Sequence, residues 1–168
     1  DDYITVASSP SLAIIAEGSL CFWMKRNLDQ GGSSNYKSFI FSRPIDSKPN
    51  GGYGMTDYSW FLIQLYDSGD LPMRWYDGTS VGVTFVNNWY HYVFTQDALN
   101  NTFLFENGNL VDSGTANVTW TSSSRPIYIA RDPNTVTYNG YLDEVRIYDR
   151  ALSAAEVAAL YQLESELP

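Results

Sequence analysis

The chain has 168 residues, with 13 Tyr, 8 Phe and 5 Trp against only 10 Lys and Arg, a net charge of −9 and one cysteine. That length suits one domain whose core needs no covalent staples, and a lone cysteine excludes an intrachain disulfide. Too few cations are present to grip a phosphate backbone or an anionic bilayer, so nucleic acid and membrane surfaces are not expected partners, and no apolar run reaches the roughly 20 residues of a membrane helix.

Short strand-like runs recur along the chain, parted by turn residues. Tyr3–Ala7 comes first, followed by Ser19–Lys25, where Leu20, Phe22 and Met24 face one way and Cys21 and Trp23 the other. Apolar residues on both faces predict a strand covered on both sides. Tyr36–Ser42 precedes a Gly-rich break, Pro49-Asn50-Gly51-Gly52. Trp60–Tyr66 and Leu71–Tyr76 flank Asp67-Ser68-Gly69-Asp70, a hairpin signal. Val81–Val86 and Trp89–Gln96 flank Asn87-Asn88, and Thr102–Glu106 and Leu110–Asp112 flank Asn107-Gly108-Asn109, the clearest hairpin in the chain. Pro126–Ala130 and Gly140–Tyr148 complete the set. Strands this short, with turns every eight to twelve residues, predict an all-β sandwich or barrel. A capping box at Ser153 and Glu156 opens a helix expected over Ala154–Gln162, with Val157, Leu160 and Tyr161 at helical spacing, packed on the sandwich edge.

The closing stretch Asn139–Ser153 (NGYLDEVRIYDRALS), followed by AAEVAALY, resembles the end signature of laminin G-like domains of the concanavalin A-like family. Asp2-Tyr3-Ile4, Phe22-Trp23-Met24-Lys25, Asn88-Trp89-Tyr90-His91-Tyr92-Val93 and Phe105-Glu106-Asn107-Gly108 agree with the same family in order and spacing, so the resemblance covers nearly the whole chain. It implies an antiparallel two-sheet jelly-roll β-sandwich with one short C-terminal helix, spanning residues 1–168 as a single domain. The abrupt start at Asp1-Asp2-Tyr3 reads as a segment excised from a larger multidomain protein, secreted or displayed at the cell surface.

The resemblance also implies a structural calcium ion. In a jelly roll the first and last strands are expected side by side, so Asp2 and Asp143 would meet, with the carbonyls of Gly140 or Tyr141 completing an oxygen site. The plainer alternative is that Asp143 caps a turn and Glu144 pairs with Arg146 or Arg150. His91 is the only histidine and falls in a core strand of the family pattern, where a satisfied buried ring is expected. Cys21 reads as a small buried hydrophobe. The two are far apart in sequence, so no motif supports a Cys/His pair, and zinc would need more nitrogen or sulfur ligands than the chain offers.

Jelly-roll enzymes carry recognisable acid arrays on one strand face. A Glu-x-Asp-x-Glu run, or the Arg-x-Arg-x-Glu and Gln-x-His strands of the lyases, would mark them, and none occurs here. Aromatic residues are the better handle, because Trp and Tyr rings stack on the apolar faces of sugars while polar side chains take the hydroxyls. Trp23 and Trp89 fall at family-like core positions and are discounted. Trp60, Trp75, Tyr76 and Trp120, with Tyr53 and Tyr58 beside the Gly-rich break and Arg74 and Asp77 for polar contacts, form the candidate ligand set. The expected function is therefore a non-catalytic carbohydrate-binding or adhesin-type module for a polysaccharide, more readily a neutral one given the acidic surface. The alternatives are a domain that binds a cell-surface protein or acts as a spacer, and a polysaccharide-active enzyme.

Overall fold

The computed structural model describes residues 3–9, 12, 17–26, 38–45, 48–57, 61–65, 88–115, 126–130 and 140–165. These hold strands β1 (Ile4–Val6), β2 (Gly18–Arg26), β3 (Ser38–Ile45), β4 (Lys48–Asp57), β5 (Phe61–Leu65), β6 (Trp89–Gln96), β7 (Asn101–Glu106), β8 (Asn109–Thr115), β9 (Ile127–Ile129) and β10 (Gly140–Tyr148), then helix α1 (Ala154–Ser165). The strands form two five-stranded antiparallel sheets, ordered β1-β9-β3-β4-β5 and β10-β2-β6-β7-β8. This is the expected two-sheet sandwich with one helix.

The second sheet shows why the sequence folds this way. Side chains alternate across a strand, and here both sets are apolar. Leu20, Phe22 and Met24 of β2, Tyr92 and Phe94 of β6 and Leu104 of β7 are all buried and point toward the first sheet, where Ile127 and Ile129 are also buried. The alternate set, Cys21, Val93 and Phe105, forms a second cluster with Leu152 and Val157, edged by Phe103, Tyr148 and Leu160. Each such large side chain contributes about 1.5–3 kcal/mol by leaving water. The helix is what covers this second set. It lies across the outer face of the second sheet, which corrects its expected place at the sandwich edge: the apolar face of β2, β6 and β7 is too wide to leave uncovered.

Two local devices hold the helix. Its first turn is the expected capping box, with the Ser153 N–H donating to Glu156 Oε2 at 2.8 Å and the Glu156 N–H donating to Ser153 Oγ at 3.3 Å. Arg150 adds a forked pair of bonds to the Glu156 carboxylate at 2.6 and 3.1 Å, and this pairing, with the Ser153 bonds, lowers the Glu156 carboxyl to about 2. Behind it, the buried Ser19 hydroxyl donates to the Arg150 carbonyl and accepts from the Leu152 N–H, both at 2.9 Å. The approach to the helix is thereby tied to β2.

The Asn107-Gly108 hairpin forms as its residues predict. Glu106 pairs with Asn109, and the two central residues take φ of 48° and 78°, the left-handed values a two-residue primed turn requires. Asn107 also reaches back to β6: its side-chain Oδ1 accepts from the His91 N–H at 3.0 Å, and its own N–H donates to the His91 carbonyl at 2.8 Å.

Two expectations are revised, and one feature was not foreseen. β1 pairs with β9 and β10 pairs with β2, so the first and last strands lie in different sheets rather than side by side. The Gly-rich Pro49–Gly52 stretch lies within β4 rather than ending a strand, at the register shift opposite Pro44 and Ile45 of β3. β10 carries a bulge between Asp143 and Arg146, with Glu144 in the left-handed region at φ 50°. The extra residue flips the alternation, so Arg146, opposite Cys21, shares the outer face with Tyr141 and Asp143. The runs Leu71–Tyr76 and Val81–Val86 lie outside the described residues.

Candidate functional site

The outer face of the second sheet carries two groups of functional side chains, one under α1 and one beyond it. Under the helix, Cys21 and His91 are diagonal neighbours, since Cys21 pairs with Val93 and Trp23 pairs with His91. Diagonal positions on adjacent strands are close enough for side chains to touch. Cys21 Sγ lies 3.0 Å from His91 Nε2, and both residues are fully buried. No sequence motif marks this pair; only the register of β2 on β6 creates it.

The last turn of α1 supplies the third member. Glu164, buried on an otherwise exposed turn, places Oε2 at 3.6 Å from His91 Nε2 and accepts from Trp23 Nε1 at 2.7 Å. Its other oxygen pairs with Arg146, which also bonds Glu144. Tyr161 stacks over Trp23 and His91, with ring centroids 5.7 and 5.9 Å away. It also seats on Gly108, where an added Cβ would stand 3.1 Å from the Tyr161 ring.

Thiol and imidazole in contact resemble a nucleophile and its base. The surroundings oppose that chemistry. Burial, aided by the Glu164 carboxylate, pushes the Cys21 thiol up to about 12. Burial, aided by Arg146, pulls His91 down to about 4. Both groups stay uncharged near neutral pH, and neither is open to a substrate. A thiolate nucleophile needs an accessible, electropositive setting.

Beyond the helix the same strands present an open aromatic pair. Tyr141, Lys25 and Trp89 are register partners across β10, β2 and β6 and so share one face. Trp89 is 43 % exposed and Tyr141 57 %. Their rings meet at 6.4 Å between centroids with planes 52° apart, across the strand that bears Lys25. The exposure of Trp89 corrects its discounting as core: it opens β6 beyond the reach of α1, and the burial begins two residues later at His91.

Of the calcium set read from the sequence, Gly140, Tyr141 and Asp143 lie along β10, while Asp2 lies outside the described residues. Asp143 is exposed, and its Oδ1 accepts from the Glu144 N–H at 2.8 Å within the bulge. Glu144 pairs with Arg146 at 2.5 Å. Among the aromatic ligand set, Tyr53 stands in β4, opposite Arg43 and Leu65. Tyr58, Trp60, Arg74, Trp75, Tyr76, Asp77 and Trp120 lie outside the described residues.

The profile of the concanavalin A-like lectin/glucanases superfamily (Laminin G 3) matches residues 1–158. The chain belongs to this superfamily. No curated protein matches it in sequence. Among solved structures it is similar to the binding domain of botulinum neurotoxin serotype G, with a TM-score of 0.76 and 20 % identity, covering 98 % of this chain and 41 % of that one. The serotype D ligand-binding domain in complex with N-acetylneuraminic acid gives a TM-score of 0.74 and 19 % identity, covering 97 % and 40 %. Domain 4 of a GH43 extracellular arabinanase from Geobacillus stearothermophilus, in complex with arabinotriose, gives 0.65 and 20 %, covering 90 % and 69 %. At these identities the likeness is one of fold. The chain spans about two-fifths of the neurotoxin structures it matches.

Proposed function

We propose that this superfamily member is a non-catalytic glycan-binding module of a larger extracellular or cell-surface protein, with Trp89 and Tyr141 stacking on the sugar and Lys25 taking a hydroxyl or carboxylate. The observation that carries this reading is the pair of exposed rings, 6.4 Å apart, on a rigid three-strand platform. Sugars offer apolar C–H faces to such rings, and a neighbouring polar head fixes orientation. Rings held on strands lose little conformational entropy on binding. Two domains of this fold in complex with arabinotriose and N-acetylneuraminic acid support a sugar as the ligand class. No helix among the described residues is long and apolar enough to cross a membrane.

The test is affinity electrophoresis of the purified domain through neutral and acidic polysaccharides, with calcium and with a chelator. At least one polymer is expected to retard the protein, and Trp89→Ala and Tyr141→Ala each to abolish most of the retardation. Trp75→Ala and Trp120→Ala, run alongside, report whether the loop aromatics join the site. Loss of retardation with the chelator places a calcium ion in or beneath it. If no polymer retards the wild type, the glycan reading fails and the protein-binding alternative takes its place. If the Trp89 and Tyr141 variants behave as wild type, the platform is not the site.

A further inference from the structure

We propose that Cys21, His91 and Glu164 together bind one transition-metal ion of the zinc class, as a structural clasp between α1 and the second sheet. The three residues come from β2, β6 and α1, and all are buried. Their ligand atoms lie within 4.8 Å of one another, with Sγ to Nε2 at 3.0 Å and Nε2 to Oε2 at 3.6 Å. A tetrahedral zinc ion holds sulfur, nitrogen and oxygen ligands roughly 3.4–3.6 Å apart, given its usual bond lengths. To reach those separations the Sγ–Nε2 contact would have to open by about 0.5 Å, and any pair near the 4.8 Å limit would have to close. With one carboxylate the cluster supplies three of the four ligands of a tetrahedral ion, and a water would be the fourth.

A divalent ion bound here would take the thiolate and release the thiol proton to solvent. Sulfur with imidazole selects zinc-like metals over calcium, which asks for oxygen alone. The outer contacts suit a ligand role as well. Trp23 Nε1 and Arg146 both bond the Glu164 carboxylate and fix its orientation, as second-layer partners of metal ligands do. His91 Nδ1 has no hydrogen-bond partner among the described residues.

The experiment uses the whole 168-residue chain, reduced, stripped with a chelator and titrated with cobalt(II) and then zinc. Binding is expected at one equivalent, with a thiolate-to-cobalt charge-transfer band and the intense visible absorption of a tetrahedral site, both bleached by zinc. Free zinc at about 100 times its Kd should raise the thermal midpoint by about 5–10 °C. Cys21→Ser should remove the charge-transfer band, and Arg146→Gln should weaken zinc binding by about tenfold or more. Absence of any cobalt band from the folded wild type overturns the proposal, and so does a band that survives Cys21→Ser. If that variant does not fold, alkylation of wild-type Cys21 decides: zinc should slow it at least tenfold, and an unchanged rate overturns the site. Neither outcome bears on the glycan reading, which rests on the far end of the same sheet face.

Discussion

Two ends of one sheet face, built on the same strands, have opposite characters. At one end Cys21 and His91 are sealed beneath α1, with Trp23 half-buried beside them; at the other, one pair of positions further on, Trp89 and Tyr141 stand open on either side of a half-buried Lys25. The strand geometry is the same in both. What differs is the reach of a 12-residue helix. Where the helix lies, polar groups must satisfy one another, and burial moves the thiol and imidazole far from their ordinary values. Where it stops, two aromatic rings remain available to a ligand. The helix therefore divides the face into a part that holds the domain together and a part free to bind.

Breaking the covered end should cost most. Glu164→Ala leaves Arg146 and the Trp23 indole without their shared acceptor, and a loss of about 3 kcal/mol is expected in urea unfolding, with retention of any glycan affinity measured on folded protein. Acid should act next, through the single histidine. His91 is held near 4 instead of 6.5, so between those values the unfolded chain takes up a proton that the folded chain refuses. Its contribution is complete above about pH 6.5 and falls as the pH drops toward 4. Unfolding midpoints in the chelated protein should show a loss of roughly 2–3 kcal/mol across that window, and His91→Gln should flatten it. A slope unchanged in the variant would mean that other groups carry the acid sensitivity.

Gly108→Ala joins a strained φ of 78° to a clash with Tyr161, and about 1–2 kcal/mol of destabilisation is expected, with weaker helix protection in hydrogen exchange. Ser153→Ala removes half of the capping box and should cost about 1 kcal/mol. Glu156, its partner, contributes above about pH 4.5 and ceases to as the pH falls toward 2. Trp89→Ala, at the open end, should change stability least, by under about 1 kcal/mol, while removing most of the glycan retardation. A large unfolding effect from Trp89→Ala would erase the contrast between the two ends.

The parts legible in the sequence are those fixed by near neighbours. Apolar residues on both faces marked β2, the Asn107-Gly108 pair marked its hairpin, and Ser153 with Glu156 marked the helix start within a residue. The superfamily resemblance then supplied the sandwich. What stayed hidden depends on pairing between distant segments. Turn formers at Pro49–Gly52 sit within β4 at a register shift, between pairs that Lys48 and Gly52 make with β3. Cys21 and His91, 70 residues apart, meet only through strand register. Arg146 reaches the outer face only because the Glu144 bulge breaks the alternation that a sequence pattern assumes. Trp89 looked like core because its motif adjoins core, yet solvent begins two residues before His91.

The Ser19 hydroxyl, bonded to the chain 131 and 133 residues later, has a consequence for how the protein is made. Contacts of such long sequence separation form late and slow folding. Chains emerge from the ribosome N-terminus first, so β2 and β6 emerge before the helix that covers them. Until that helix docks, the Cys21 thiol stands uncovered with an ordinary acidity. The nascent domain thus passes through an interval in which its only cysteine is open to oxidants and mixed disulfides, and docking of α1 ends that exposure.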